Sequence, residues 1–543
     1  MPRLLFLFYI TLFTLILSSF DTKANPSASA LVNTTHQVYI ALDIFTAQDL
    51  LLRRIHGQKP YTRSEVARLL SEANKTLDDK TKSIVEKSKK WRYIKNLLNS
   101  FITEFQANLS AIDHPPHEIK LHPLERGKLQ LTGLNRQTRS YFGLPSGQYD
   151  PLVQNQEGRH YNNGLQIAAE TEHRLQGGSL FSAFLKPRLQ LQAQEDGEQA
   201  AFLQEGYVSF AMWNHQIDAG RKPLAWGQAA QGGLLLSNNT RPLDGLQIYN
   251  ISPWRASFLG EIKYSFFLNT LGPEQTFKNP LFSGFKFTAS PHPLFEIGVS
   301  RALIFGGQNA PNASFGDYIL EYFGVRPGDI NVVNLSNSIQ GFETRVRLPF
   351  LRNLEIYGEF YFDDFDFVDI HKSFTQDGGM LFGAYLARLD DKGSWNLRVE
   401  GRKTASILYK HSIWTTGWTQ NGLVLGDPLG PDADSLSVFL HKMSNDLLTQ
   451  ISWMGTLERV DSDIYFGGGA AVGRIKTTDG PPELRFRTTF SASRALSNLC
   501  TLSGSLGYER IKDFNFTRGD DENGFLAQVS LDFRPHLPAW NSR

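Results

Sequence analysis

The sequence predicts an all-β transmembrane barrel preceded by an N-terminal α-helical bundle. Three observations lead there. From about residue 126 onward, apolar and polar residues alternate with a period of two. Residues from about 36 to 112 keep a helical period instead. Beyond the first twenty-odd residues no run of 18 apolar residues occurs, so any membrane crossing must be made by strands.

The strand pattern is clearest in a few segments. Leu354, Ile356, Gly358, Phe360 and Phe362 alternate with Glu355, Tyr357, Glu359, Tyr361 and Asp363. Phe342, Thr344, Val346 and Leu348 alternate with Glu343, Arg345 and Arg347, and Leu484, Phe486, Thr488 and Phe490 with Arg485, Arg487 and Thr489. The series runs through Leu502–Tyr508 and closes with Phe525, Ala527, Val529, Leu531 and Phe533. One face of each strand is apolar and the other is polar or charged. In a membrane barrel the first meets lipid and the second lines the interior. The mean hydropathy of −0.29 fits such averaging. No Pro/Ser/Gly linker or repeat divides the region into sandwich-sized units. Tyr361, Phe362, Trp395, Tyr508 and Phe533 at strand ends suit an interfacial girdle.

Some 410 residues, at about 20 to 25 per strand and connection, give about 16 to 20 strands. Polar stretches at 305–335, 363–390, 405–450 and 514–524 are expected extracellular loops. Breaks at 290–293 and 349–353 are expected periplasmic turns.

The division expected is a signal peptide over 1–24, a periplasmic helical bundle over 25–120 and the barrel over 121–543. Arg3, the apolar run Leu4 to Phe20 and Ala24 before the expected cut make the secretory pattern. In the bundle a first helix is expected over Asp43–Ile55. Thr62 and Glu65 form a capping box ahead of Val66, Leu69, Leu70, Ala73 and Leu77. A third helix carries Trp91, Ile94, Leu98, Phe101, Phe105 and Leu109 and stops at His114-Pro115-Pro116. The basic cluster Lys80, Lys82, Lys87, Lys89, Lys90, Arg92 and Lys95, interspersed with Asp78, Asp79 and Glu86, reads as a solvated helix face, with anionic lipid or glycan contact as the alternative.

Composition excludes several functions. The 55 Lys and Arg balance 54 Asp and Glu, which argues against a nucleic-acid partner. A single cysteine, Cys500, removes disulfide frameworks and cysteine zinc sites. The 13 histidines show no metal-ligand spacing, and no nucleophile motif is present, so neither metal, cofactor nor enzymatic activity is expected. The run Tyr361 to Asp369, with four carboxylates, reads as a strand entering a solvated loop rather than a cation or glycosidase site. Asp520, Asp521 and Glu522 read as a loop tip, and Gly467–Gly469 as a strand bend.

The least regular segment runs from Gly220-Arg221-Lys222-Pro223-Leu224-Ala225-Trp226-Gly227-Gln228 through Leu234-Leu235-Leu236-Ser237-Asn238-Asn239-Thr240-Arg241-Pro242. It resembles the capsule-assembly Wzi family of outer-membrane proteins, with its Trp-Gly step and Leu-Ser-Asn stretch. Pro60-Tyr61-Thr62-Arg63 ahead of a leucine-rich helix and Phe295–Arg301 followed by Phe305-Gly306-Gly307 share the resemblance. It implies an 18-stranded barrel in the bacterial outer membrane, a periplasmic helical bundle and binding of capsular polysaccharide.

Sugars are held by hydrogen bonds and by aromatic faces. Trp414, Trp418 and Asn421 in the 405–450 stretch are therefore the candidate glycan-binding residues, although the two tryptophans serve equally well as girdle aromatics. The partners expected are capsular or exopolysaccharide and outer-membrane lipid, around a monomer. A porin or substrate-specific channel is the alternative function, and a secreted enzyme on a β-scaffold a third.

Overall fold

Among the described residues, eighteen long strands close into one antiparallel barrel. In this computed structural model the described residues are 27–542 except 84–88, 137, 142, 150–151, 193–199, 231, 324–334, 364–372, 445, 467–472, 477–479 and 536–539. The expected signal peptide, most of the Tyr361–Asp369 run and Gly467–Gly469 lie outside them. The strands in order are β1 (Ile119–Leu134), β2 (Gly164–Gly177), β3 (Phe181–Gln192), β4 (Ala200–Met212), β5 (His215–Lys222) and β6 (Leu243–Asn250). There follow β7 (Gly260–Thr270), β8 (Leu281–His292), β9 (Phe295–Phe305), β10 (Ser336–Leu348), β11 (Leu354–Phe362) and β12 (Gly378–Leu386). The last six are β13 (Trp395–Thr404), β14 (Ala433–Met443), β15 (Thr449–Val460), β16 (Glu483–Ala495), β17 (Cys500–Lys512) and β18 (Glu522–Phe533). β18 pairs with β1 from Phe533↔Gly127 to Leu526↔Leu134, which leaves no free edge.

Period-two alternation decides the two faces. On β16 Leu484, Phe486 and Phe490 point outward and are exposed, while Arg485 and Arg487 point inward and are buried. β10 repeats this with Phe342 and Val346 outside and Glu343, Arg345 and Arg347 inside. The outside is an apolar belt suited to lipid; the inside is charged. No helix among the described residues is long and apolar enough to cross a membrane.

Connections alternate in length. Turns such as 178–180, 213–214, 293–294 and 349–353 lie at one end, and loops such as 223–242, 306–335 and 405–432 at the other. Two expected loops contain strands. β14 lies within 405–450, where Phe439 shares a face with Ser435, Ser437 and His441 and breaks the alternation. β12 lies within 363–390; its inward Leu381 is buried, so both faces read as apolar. Gly383 of β12 lets the ring of Tyr357 lie on its backbone, since a Cβ there would come within 2.1 Å of the ring. Tyr361 does not join a girdle: it turns inward, and its hydroxyl meets Ser300 Oγ at 2.7 Å.

The N-terminal helices are α1 (Val38–Ala47), α2 (Arg63–Ser83), α3 (Lys89–Glu104) and α4 (Gln106–Asp113), and a short α5 (Phe315–Tyr322) lies in the connection between β9 and β10. The N-terminal apolar stripes share one core with Tyr61 and with Met443 at the end of β14. α1 starts and stops earlier than expected; it ends at Ala47, and Asp49, two residues on, takes a left-handed φ of 56° that does not continue a helix. The third helical stripe breaks at Phe105, which is buried beneath the Arg63 guanidinium, 4.5 Å from its ring. Half of the capping box forms: Thr62 Oγ1 accepts from the Glu65 amide at 3.1 Å. The Glu65 carboxylate instead pairs with Lys263 on β7. The bundle covers the short-turn end, where Arg347 donates to Thr46 O at 2.9 Å and Asn353 to Ala47 O at 3.0 Å.

Candidate functional site

The lumen is filled by the chain itself, and the charged inner wall of β9–β13 does the holding. Glu359 accepts from three backbone amides of the 223–242 segment: Gln228 at 2.5 Å and Ala229 at 3.0 Å on Oε1, and Leu234 at 2.9 Å on Oε2. Glu400 accepts from the Ala230 amide at 2.8 Å. The Gln228 side chain reaches Glu296 at 2.8 Å and Glu343 at 3.0 Å, and Arg345 donates to its carbonyl at 3.0 Å. Burying backbone amides without partners is costly, so a ring of carboxylates facing inward is what allows an irregular segment to sit there. Trp226 packs edge-on against Phe267 of β7 at 5.2 Å and anchors the segment sideways.

From the short-turn end the chain after α1 meets this plug. The amides of His56 and Gly57 donate to Glu296 at 2.9 and 3.0 Å, and the Gly227 amide donates to Gly57 O at 3.0 Å. Burial alone would raise the Asp43 carboxyl of α1, but Arg54 at 2.5 Å and Arg398 at 3.8 Å outweigh it and hold its pKa at about 2. Burial lowers Lys59 to about 8.

From the long-loop end, loop 405–432 covers the plug. Ser237 N donates to Leu425 O at 2.8 Å, Asn239 Nδ2 to Val424 O at 3.0 Å and Tyr409 Oη to Leu234 O at 2.6 Å. Burial pushes the Asp427 carboxyl up, even with Arg402 Nε 3.1 Å away. Two cavities among the described residues, one beside Lys59 and Lys263 and one beside His56 and Arg345, hold about 20 Å³ each, room for a water molecule.

The three candidate glycan residues divide. Trp414 and Trp418 are 1% and 0% exposed. Trp414 is edge-on to Phe277 at 4.7 Å and Trp418 to Phe282 at 5.3 Å, and Trp418 Nε1 donates to Leu235 O at 3.1 Å. Neither ring offers a face to a sugar; Trp414 fastens the loop to the 271–280 connection and Trp418 fastens it to β8 and the plug, because the loop folds into the barrel mouth instead of standing above it. Asn421 sits at a half-buried hairpin tip between Thr419–Gln420 and Leu423–Val424. Asn421 and Gly422 both have positive φ, 47° and 76°, the geometry of a tight two-residue hairpin turn. The Asn-Gly pair was a readable turn signal.

Sequence reasoning missed what surrounds Asn421 on the outer face. Ser146 and Gln148 are exposed beside Gly422. Thr276 Oγ1 lies 3.1 Å from both Thr415 Oγ1 and Thr416 Oγ1 in an exposed hydroxyl cluster. These are neutral hydroxyl and amide groups that can donate and accept. Among the described residues no group of three or more His, Cys, Asp or Glu side chains is arranged to hold a metal ion.

The family model described as capsule assembly protein Wzi matches residues 136–524. Over 167 residues, 30% of this chain, the sequence is 23% identical to an uncharacterized 55.8 kDa protein in the cps region of Klebsiella pneumoniae. The match spans 29% of that relative, less than a third of its length. The fold superimposes with a TM-score of 0.68 on Wzi, an outer membrane protein of Escherichia coli involved in group 1 capsule assembly and described as a carbohydrate-binding β-barrel. That likeness has 16% identity and covers 94% of this chain and 100% of the other. With its closed wall and apolar belt, the molecule is an outer-membrane barrel. A match over most of the strands and over the whole plug segment settles the kinship: the chain belongs to the capsule assembly protein Wzi family.

Proposed function

We propose that this protein binds surface polysaccharide at the long-loop face of its barrel and, as a monomeric lectin without enzymatic activity, assists capsule assembly or attachment. The observation that carries this reading is the filled lumen. The 223–242 segment, clamped by Glu359 and Glu400 and covered by loop 405–432, crosses the space a channel would need. What the barrel offers outward is a fixed surface of hydroxyl and amide groups around Asn421, Gln148 and Thr416, suited to the hydroxyls of a polysaccharide. The E. coli relative is itself described as carbohydrate-binding, which supports the same class of ligand here. One chain supplies both wall and plug, which supports a monomer. The helices lie at the short-turn end with the strand termini, which supports a periplasmic bundle.

The test uses the purified protein in detergent and capsular polysaccharide from the producing strain. The polysaccharide should be retained on immobilised protein, and Asn421→Gly combined with Thr416→Ala should weaken retention while leaving heat-modifiable gel migration unchanged. In cells, deletion of the gene should release polysaccharide into the medium without stopping its synthesis. Undiminished surface retention in the deletion strain, together with large stable conductance steps from the purified protein, would falsify the reading in favour of a channel.

A further inference from the structure

The outward ends of β13–β17 at the long-loop rim break the apolar pattern of the belt. The strand register places Lys403, Asp434, Arg459, Leu484 and Lys512 in one row across five neighbouring strands. Three of the five are cations. Two residues further down the strands, the next row is Gly401, Leu436, Leu457, Phe486 and Arg510. A fourth cation therefore stands beside an apolar floor. Leu436, Leu457, Leu484 and Phe486 are all exposed, and with Arg459, Arg510 and Lys512 they line a shallow groove of about 590 Å³ on the outside of the wall. Gly401, with no side chain, extends the floor toward β13.

We infer that this groove is a binding site for phosphorylated lipid of the outer leaflet, with acyl chains along Leu436, Leu457 and Phe486 and phosphate oxygens at Arg459, Arg510 and Lys512. The height fits. Lys403, Arg459 and Lys512 stand where strands give way to long loops, the level of lipid headgroups, with the apolar floor two residues to the membrane side of them, and Arg510 flanks the floor in its own row. The charge fits as well. Arg459, Lys403 and Arg510 keep 47%, 47% and 59% of their side-chain surface, so their donors are available outward. Their carboxylate neighbours are Asp434, 3.1 Å from Lys403 and 3.8 Å from Arg459; Asp461, 2.6 Å from Arg459; and Asp521, 2.9 Å from Arg510. Four outward cations thus face three carboxylates, an excess of one positive charge, and Lys512 has no ion pair within 4 Å among the described residues. Elsewhere on the rim, Arg221 of β5 is held by Asp244 of β6 through two bonds of 2.9 and 2.5 Å, which occupy its planar donors. Arginine is suited to phosphate because its planar donors engage two oxygens at once.

The probe is bisphosphorylated lipid A, added to the full chain in dodecyl maltoside and followed by native mass spectrometry against its phosphate-free counterpart. The unchanged protein should retain the phosphorylated form preferentially. Arg459→Gln with Arg510→Gln and Lys512→Gln should cut that retention by on the order of tenfold to a hundredfold, the range expected for three interfacial cations. Arg221→Gln should leave it unchanged. Equal retention of the two lipids by the unchanged protein overturns the inference, as does full retention by a folded triple variant. The two-lipid comparison needs no variant and stands even where the triple variant does not fold.

Discussion

Replacing Glu359 tests whether the carboxylate ring is what keeps the lumen closed. Its two oxygens take three buried backbone amides, from Gln228, Ala229 and Leu234. Truncation to Ala strands all three, and an unsatisfied buried donor costs about 1–3 kcal/mol. The plug loses roughly 3 kcal/mol at the low end of that range, while its contacts with Glu400 and Arg345 remain. At 1.4 kcal/mol per factor of ten, the open population of the plug rises by about a hundredfold. Glu359→Gln is milder. Its carbonyl oxygen can keep the two amides on the Oε1 side, but its NH2 then faces the Leu234 amide, donor against donor. One amide is lost instead of three. Planar-bilayer recording at neutral pH reads the result. The unchanged barrel should conduct little, Glu359→Gln should show rare steps and Glu359→Ala frequent ones. Heat-modifiable migration confirms that each barrel is closed. If both variants conduct as rarely as the parent while their barrels are intact, the carboxylate clamp is not what holds the plug.

Trp418→Ala removes a fully buried indole and its bond to Leu235 O, and should lower thermal stability by about 3–5 kcal/mol; Asn421→Gly, which keeps the left-handed turn, should leave the melting temperature nearly unchanged while reducing polysaccharide retention. Breaking the buried Glu65–Lys263 pair by Lys263→Met should cost about 3–5 kcal/mol and expose the helices to trypsin, whereas Glu65→Leu with Lys263→Met should restore part of the protection. The Asp43 carboxyl is held at about 2 in the folded protein, below its unfolded value near 3.9, so its contribution is complete above about pH 4 and is lost as pH falls through 2. Protease protection of the bundle should therefore weaken between about pH 4 and 2, and Asp43→Asn should remove that step.

The barrel was legible because lipid imposes a rule on every strand. Where the rule acts alone, as in the Leu354–Phe362 strand, alternation reads off at once. Where the lumen is filled it blurs. Leu381 faces inward yet is apolar, since it packs on the plug and not on water, and β12 disappeared into an expected loop. The same filling explains the tryptophans. A loop containing Trp414 and Trp418 looks like a sugar platform only if it stands clear of the barrel; folded into the mouth, it spends both rings on Phe277 and Phe282. The outer-face hydroxyls of Thr276 and Thr416 belong to loops far apart in sequence, and only closure of the barrel brings them within 3.1 Å.

The alternating strands of the inner wall carry more information than a pore would need. A water-filled lumen asks only for polar residues, at positions that can vary freely. Here Glu296, Glu343, Glu359 and Glu400 sit on four of five consecutive strands and each meets a donor of one short segment. Such placement fixes the plug in one register, and the plug in turn fixes Tyr409, Trp418 and the Asn421 hairpin above it. Rigidity at the surface is thus set deep in the barrel. A recognition surface made of neutral hydroxyls and amides gains little from any single contact, so it depends on having its groups held in place before the polymer arrives. The same ring of carboxylates that holds the plug in the lumen gives the outer face a fixed shape to present.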